Sequence, residues 1–292
     1  MRWHLRSLPP FPFDRARLSH LNGRHLHAPP GGRCLEIRGL VKRFGGLRAL
    51  DGLELEVRRG TITGLIGPNG AGKSTLFDCI TGFTVPDGGQ VLLDGEDITG
   101  MAPHEVFARG ISRTFQIPRL HRRLSVLENL MLVPPGQLGE RLAGPWLRPG
   151  AVRRQEEAIR RRALEVLDLL ELTRLAHAPA EHLSGGQRKL LELGRVMMAD
   201  PALVLLDEPG AGVNPTLMRT LAAAIERLRE ERGITFLVIE HDMELVARLC
   251  DEVVVVSEGR KLTAGPPDAV RKDPAVVEAY LGDPRATVGV ET

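Results

Sequence analysis

The chain has 292 residues, 42% of them hydrophobic and 26% charged, which is the balance of a globular protein with one large domain or two modest ones. Its 39 basic and 37 acidic residues leave a net charge of +2, so no global field argues for a nucleic-acid partner and any basic docking surface has to be local. Cys34, Cys79 and Cys250 are odd in number and far apart, which argues against a disulfide framework or a zinc site and fits a reducing compartment.

Residues 1–33 are rich in Pro, His and Arg and show neither helical nor strand period, so a disordered extension is expected. They hold no apolar core of about 7 to 15 residues of the kind a secretory signal needs. His4, His20, His25 and His27 are metal-binding in type, but their irregular spacing argues against a built site.

From Cys34 the texture changes. LELEV at 53–57 alternates apolar and acidic residues, as a half-buried strand does, and TITGLI at 61–66 is a second strand running into a glycine-rich turn. VLLDGEDI, with Asp94-Gly95, predicts a hairpin. PPGQLGERLAGPWLRPG at 134–150 reads as a Pro/Gly-rich loop before a helix over 151–172, where Ile159, Ala163, Val166, Leu167 and Leu170 recur at helical spacing. Strands are expected again at 203–207, 234–239 and 252–256. Between the first two lies an amphipathic helix with Leu217, Leu221, Ile225 and Leu228 on one stripe, Asn214 as N-cap and Pro215 at its first position. Strands alternating with helices imply a parallel α/β core, here interrupted by a helical insert. The longest apolar runs, 202–206 and 253–256, are far short of the about 20 residues that span a bilayer. Any work at a membrane therefore needs another chain for the spanning.

Three motifs carry chemistry. GPNGAGKS, Gly67–Ser74, fits G-x-x-x-x-G-K-[ST] and stands after a strand and before a helix, as that motif requires. Gly67, Gly70 and Gly72 let the backbone wrap so that consecutive N–H groups point at phosphate oxygens. Lys73 adds a point charge for the β and γ phosphates, and Ser74 is placed to ligate magnesium. LVLLDEP, Leu203–Pro209, ends a buried strand on two adjacent carboxylates that should face different ways. Asp207 is then the magnesium holder and Glu208 the group that orients and polarises water. In EHLSGGQRKLLELGR, residues 181–195, a Ser-Gly-Gly turn opens a helix and offers a second anion site without a lysine.

Together GPNGAGKST, LSGGQ and LVLLDEP, with Gln116 after SRTF and His241 after FLVIE, resemble the nucleotide-binding subunit of an ABC transporter over about residues 34–283. The resemblance implies a RecA-like P-loop NTPase core with an antiparallel β subdomain and an inserted α-helical subdomain. The core would take 34–115 and 200–283 and the helical subdomain 116–199, with 284–292 a flexible tail. ATP and Mg2+ would be held at Gly67, Pro68, Asn69, Gly70, Ala71, Gly72, Lys73, Ser74 and Thr75, with Phe44 stacked on adenine where Tyr is usual. By resemblance, Gln116 reaches magnesium or the attacking water and His241 contacts the γ-phosphate. Ser184, Gly185, Gly186 and Gln187 would cover the γ-phosphate of a second cassette, so that ATP joins two chains. EPGAGVNP departs from the commoner pattern: Val213-Asn214 stands where Leu-Asp is usual, which removes a charge from a loop that in the family crosses the dimer interface.

SRTFQIPRLHRRLSVLENLML, GAGVNP, VIEHDMELV and VVEAYLGD are most similar to the ATPases of branched-chain amino-acid importers, with urea-importer and lipopolysaccharide-export ATPases as near relatives. The resemblance implies integral-membrane permease subunits as partners, a substrate-binding protein acting indirectly, and a peripheral place on the cytoplasmic face of the plasma (inner) membrane. The segment following Gln116, with Arg119, His121, Arg122 and Arg123, is the candidate docking face. A soluble ABC ATPase working on DNA or ribosomes is the reading from another class. Tandem cassettes or long coiled-coil inserts, which such proteins generally carry, are not seen here.

Overall fold

The computed structural model describes residues 32–114, 120–134, 136, 137 and 149–281. Residues 1–31 of the expected N-terminal extension, the tail, Gln116, Arg119 and most of the Pro/Gly-rich stretch lie outside the described residues, while Arg33, expected in the extension, opens the first strand. The chain divides into two compact units. One takes its described residues from Thr114–Pro201 and Ala211–Arg232, the other from the segment ending at Arg113, from Ala202–Gly210 and from Gly233 onward.

The second of these units is built on two sheets. Strands β1 (Arg33–Phe44), β2 (Leu47–Arg58), β4 (Gly88–Leu93) and β5 (Glu96–Asp97) form an antiparallel sheet in the order β2-β1-β4-β5. In β2 buried and exposed residues alternate through Leu53, Leu55 and Val57, so one face meets the core and the other meets water. The β4–β5 hairpin turns at Asp94 and Gly95, both at positive φ (50° and 82°), the backbone that a two-residue turn between twisted strands requires.

The other sheet has β3 (Ile62–Ile66), β6 (Ile111–Arg113), β7 (Leu203–Asp207), β8 (Thr235–Ile239), β9 (Glu252–Ser257) and β10 (Arg260–Gly265), in the order β10-β9-β3-β8-β7-β6. All its pairings are parallel except β9 with β10. Every residue of β3, β7 and β8 is buried, as expected of parallel strands covered on both faces. Leu65, Leu205, Leu237 and Val254 share a core with Leu76 and Phe77 of α1 (Lys73–Ile80) and with Leu53 and Val91 of the antiparallel sheet. The shorter helix α2 (Pro103–Ala108) also belongs to this unit.

The helical unit contains α3 (Val126–Met131), α4 (Pro149–Leu169), α5 (Gly185–Ala199) and α6 (Pro215–Arg232). The expected stripe on α4 and just beyond it is buried at Ile159, Ala163, Val166, Leu167 and Leu170. The helix is shifted from its expected bounds: it already includes Pro149 and Gly150, and it stops at Leu169, before Glu171 at φ 57°. On α6 the Oδ1 of Asn214 accepts from the amide of Leu217 at 2.9 Å, the predicted cap, and Leu221, Ile225 and Leu228 are buried. A Cβ on Gly194 would stand 2.8 Å from Leu170 Cδ1 and 3.1 Å from Leu130 Cδ2, so its lack of a side chain is what lets α5 approach its neighbours this closely.

Candidate nucleotide-binding and hydrolysis site

The glycine-rich turn runs from the end of β3 into α1. Gly67, Gly70 and Gly72 have φ of 152°, 80° and 102°, and a Cβ on Gly67 would meet the carbonyl oxygen of Val256 at 2.0 Å. The Lys73 side chain is turned into the loop, with Nζ donating to the carbonyls of Gly67 (2.6 Å) and Pro68 (2.9 Å) and the residue only 7% exposed. Helix α1 begins with no side chain capping it, which leaves its leading N–H groups directed at the turn. Asn69 and Gly70 are exposed, as is Ser74, while Thr75 is half-buried and Ala71 buried. Phe44, at the tip of the β1–β2 hairpin, is 51% exposed, with Lys42 Nζ 5.4 Å from its ring centre. An aromatic this exposed is not a core residue.

Asp207 and Glu208 part as strand geometry demands. Asp207 is buried, and its Oδ2 accepts from Nη2 of Arg113 at 2.9 Å. Glu208 has a φ of 48°, a left-handed backbone that a glutamate adopts at a cost of about 1 kcal/mol or more. Its Oε1 lies 3.1 Å from Nε2 of His241, and its amide donates to the carbonyl of Ile239 at 3.0 Å. The loops that follow β7 and β8 therefore bring Glu208 and His241 together within the same unit as the phosphate loop.

In the helical unit, Ser184 is the N-cap of α5. Its Oγ accepts from the amide of Gln187 at 3.3 Å, while the Oε1 of Gln187 accepts from the amide of Ser184 at 2.9 Å, a reciprocal capping box. This turn differs from the one at Lys73, because part of its donor capacity is used locally. Gly185 is exposed, and a Cβ there would meet nothing within 4 Å, whereas Gly186 is buried against Leu217. His121, Arg122 and Arg123 are exposed.

Three residues escaped the sequence reading. Arg113, closing the short strand β6, joins Asp207 to Asp78. Asn129 is fully buried on α3 and fastens the turn before it, accepting from the amide of His121 at 2.9 Å and donating to the carbonyls of His121 and Ser125 at 3.0 Å each. Glu240 is a buried acid at the end of β8. The signal for Glu240 was available: an acid directly after five apolar or β-branched residues of a buried strand needs partners.

A family model described as ABC transporter matches residues 50–211, and one described as branched-chain amino acid ATP-binding cassette transporter matches residues 260–286. The high-affinity branched-chain amino acid transport ATP-binding protein BraF of Pseudomonas aeruginosa is 42% identical over 249 residues, which cover 85% of this chain and 98% of BraF. This chain belongs to the ABC transporter family. Within that family, the corresponding LivG protein of Escherichia coli K12 is 40% identical over 249 residues, again 85% of this chain and 98% of LivG. Among solved structures, a nucleotide-free ATP-binding cassette from an ABC transporter superposes with a TM-score of 0.74 at 38% identity, over 86% of this chain and 100% of the other. A dimeric cassette in a post-hydrolysis state, bound to ADP and Pi, gives 0.67 at 25% identity over 80% of this chain and 98% of the other.

The chain is thus an ATP-binding, ATP-hydrolysing ABC subunit with the RecA-like P-loop core, antiparallel sheet and helical insert of that fold. Among the described residues, no helix is long and apolar enough to cross a membrane.

Proposed function

We propose that this ABC ATPase powers the uptake of branched-chain amino acids through separate permease subunits, from the cytoplasmic face of the plasma (inner) membrane, with a substrate-binding protein delivering the cargo. The observation that carries the reading is the 42% identity to BraF over 98% of that protein. The cassette would span 34–283, with its core in 34–115 and 200–283 and the helical subdomain in 116–199.

ATP is held on residues 67–75 with adenine against Phe44. The oxygen donors at hand, the Ser74 hydroxyl and the Asp207 carboxylate, suit Mg2+, a hard cation, and Gln116 is assigned to the same ion or to the attacking water. When bound, the ion neutralises phosphate charge. Glu208 orients and polarises water, and His241, 3.1 Å away, contacts the γ-phosphate and keeps it in line with that carboxylate. A second cassette supplies Ser184, Gly185, Gly186 and Gln187 over the same nucleotide, a reading supported by the dimeric relative.

The test is co-purification with permease subunits of the branched-chain amino-acid type, followed by ATPase assays in proteoliposomes carrying the binding protein. Leucine, isoleucine and valine should stimulate turnover, and urea should not. Stimulation by urea alone, or failure to bind any permease, overturns the assignment.

A further inference from the structure

Glu240 stands between the end of β8 and His241 and is 4% exposed. A carboxylate so placed needs hydrogen-bond donors. It takes two from the backbone: Oε1 accepts from the amide of Gly210 at 2.6 Å, and Oε2 accepts from the amide of His241 at 3.1 Å. Gly210 is two residues beyond Glu208, whose own amide donates to Ile239 at 3.0 Å. The loop leaving β7 is therefore fastened to the loop leaving β8 on both sides of Glu208. Across the same two loops runs the 3.1 Å contact between the Glu208 and His241 side chains. His241 is 40% exposed and Glu208 22%, so packing alone does little to hold them.

We infer that Glu240 is a positioning residue for hydrolysis: by holding the Gly210 and His241 amides on one carboxylate, it sets the separation of the loops that carry Glu208 and His241. The inference rests on the reading of Glu208 as the group that acts on water. Charge-assisted bonds to two amides are roughly twice as strong as neutral ones, and a carboxylate offers an acceptor oxygen to each. Glutamine has the same shape but sets its NH2 against one of the two N–H donors, so it keeps at most one bond.

The test is Glu240→Gln in the full chain, alone and combined with His241→Ala, with nucleotide affinity measured beside single-turnover hydrolysis. Alone, Glu240→Gln should lower the hydrolysis rate by about 10- to 100-fold, the scale of a small misplacement of reacting groups. ATP affinity should move by less than about threefold, because the loss falls on the chemical step. In the His241→Ala background the same change should have little further effect, since the pair it positions is already broken. An unchanged rate, or the same factor in both backgrounds, overturns the inference. A second measurement needs no variant: in the unsubstituted protein the amides of Gly210 and His241 should exchange slowly with solvent, and exchange of either at an open-loop rate also overturns it. Wild-type hydrolysis by Glu208→Gln would instead refute the role of Glu208.

Discussion

Arg113 donates from Nη2 to the Oδ2 of Asp207 at 2.9 Å and from Nη1 to the Oδ1 of Asp78 at 2.5 Å, with its guanidinium 5.4 Å from the centre of the Phe77 ring. The Asp207 carboxylate thus meets a fixed cation at the end of β7. The arginine side chain is 8% exposed and that of Asp207 10%, so the two charges face one another largely shielded from water. Breaking a buried pair of this kind costs about 3 to 5 kcal/mol. Arg113→Met should therefore lower the melting temperature sharply, and adding Asp207→Asn should restore part of the loss. Strictly additive effects in that cycle would mean that the two side chains do not stabilise one another.

Glu208→Gln should stop hydrolysis while ATP binding persists, because the amide keeps the size of the side chain and loses its basicity. If ATP joins two cassettes and hydrolysis releases them, the variant should run as a dimer with ATP and as a monomer without it. Size-exclusion chromatography with light scattering reads both states. A monomer in saturating ATP would remove the reading of Ser184–Gln187 as the cover over a partner's nucleotide.

The sequence carried the loop, the two acids and the buried strands because each depends on local pattern: glycine spacing, a run of apolar residues, carboxylates where a strand ends. Asn214 as cap and the Asp94-Gly95 turn were legible for the same reason. Arg113, Asn129 and the partners of Glu240 were not, because those partners lie elsewhere along the chain or are backbone groups without side-chain identity; of Glu240 the sequence shows only a buried acid in need of donors. Arg113 reaches Asp207 across 94 positions and Glu240 reaches Gly210 across 30. Phe44 lies in a strand, and its 51% exposure follows from the geometry of the hairpin rather than from any local sequence pattern.

Arg122 and Arg123 are exposed beside α3, and the turn they occupy is pinned by Asn129. As a docking surface for acidic permease loops or lipid headgroups, it should lose membrane association when both are changed to Glu. Basal ATPase activity of the isolated protein should stay within about twofold, since surface substitutions usually move stability by no more than about 0.5 kcal/mol. Unchanged sedimentation with permease-containing membranes would place the docking surface elsewhere.

Burial pushes the Cys34 thiol up to about 11 and the Cys250 thiol up to about 12, from an ordinary value of 9.0. Both remain protonated at neutral pH and should resist alkylation until the protein unfolds. The sign of the pH dependence follows. The unfolded chain releases these protons near pH 9 and the folded one does not, so their stabilising contribution is complete below pH 9. It is lost as the pH rises through about 11 for Cys34 and about 12 for Cys250, at up to roughly 1.4 kcal/mol per thiol per pH unit. Melting under reducing conditions should show this fall between pH 9 and 11, and it should shrink in Cys250→Ala.

Gly70 and Gly72 separate conformational strain from contact. Both have positive φ, 80° and 102°, so alanine costs each of them on the order of 1 kcal/mol for the backbone alone. Around Gly70 a Cβ would meet nothing within 4 Å, whereas at Gly72 it would stand 2.3 Å from the carbonyl oxygen of Ala49 on β2. That oxygen belongs to backbone and cannot swing aside, so either the loop or the strand has to shift. Measured without nucleotide, Gly70→Ala should lower the melting temperature by a few degrees and Gly72→Ala by clearly more. Equal losses would mean that the loop and β2 are not packed as closely as this contact requires.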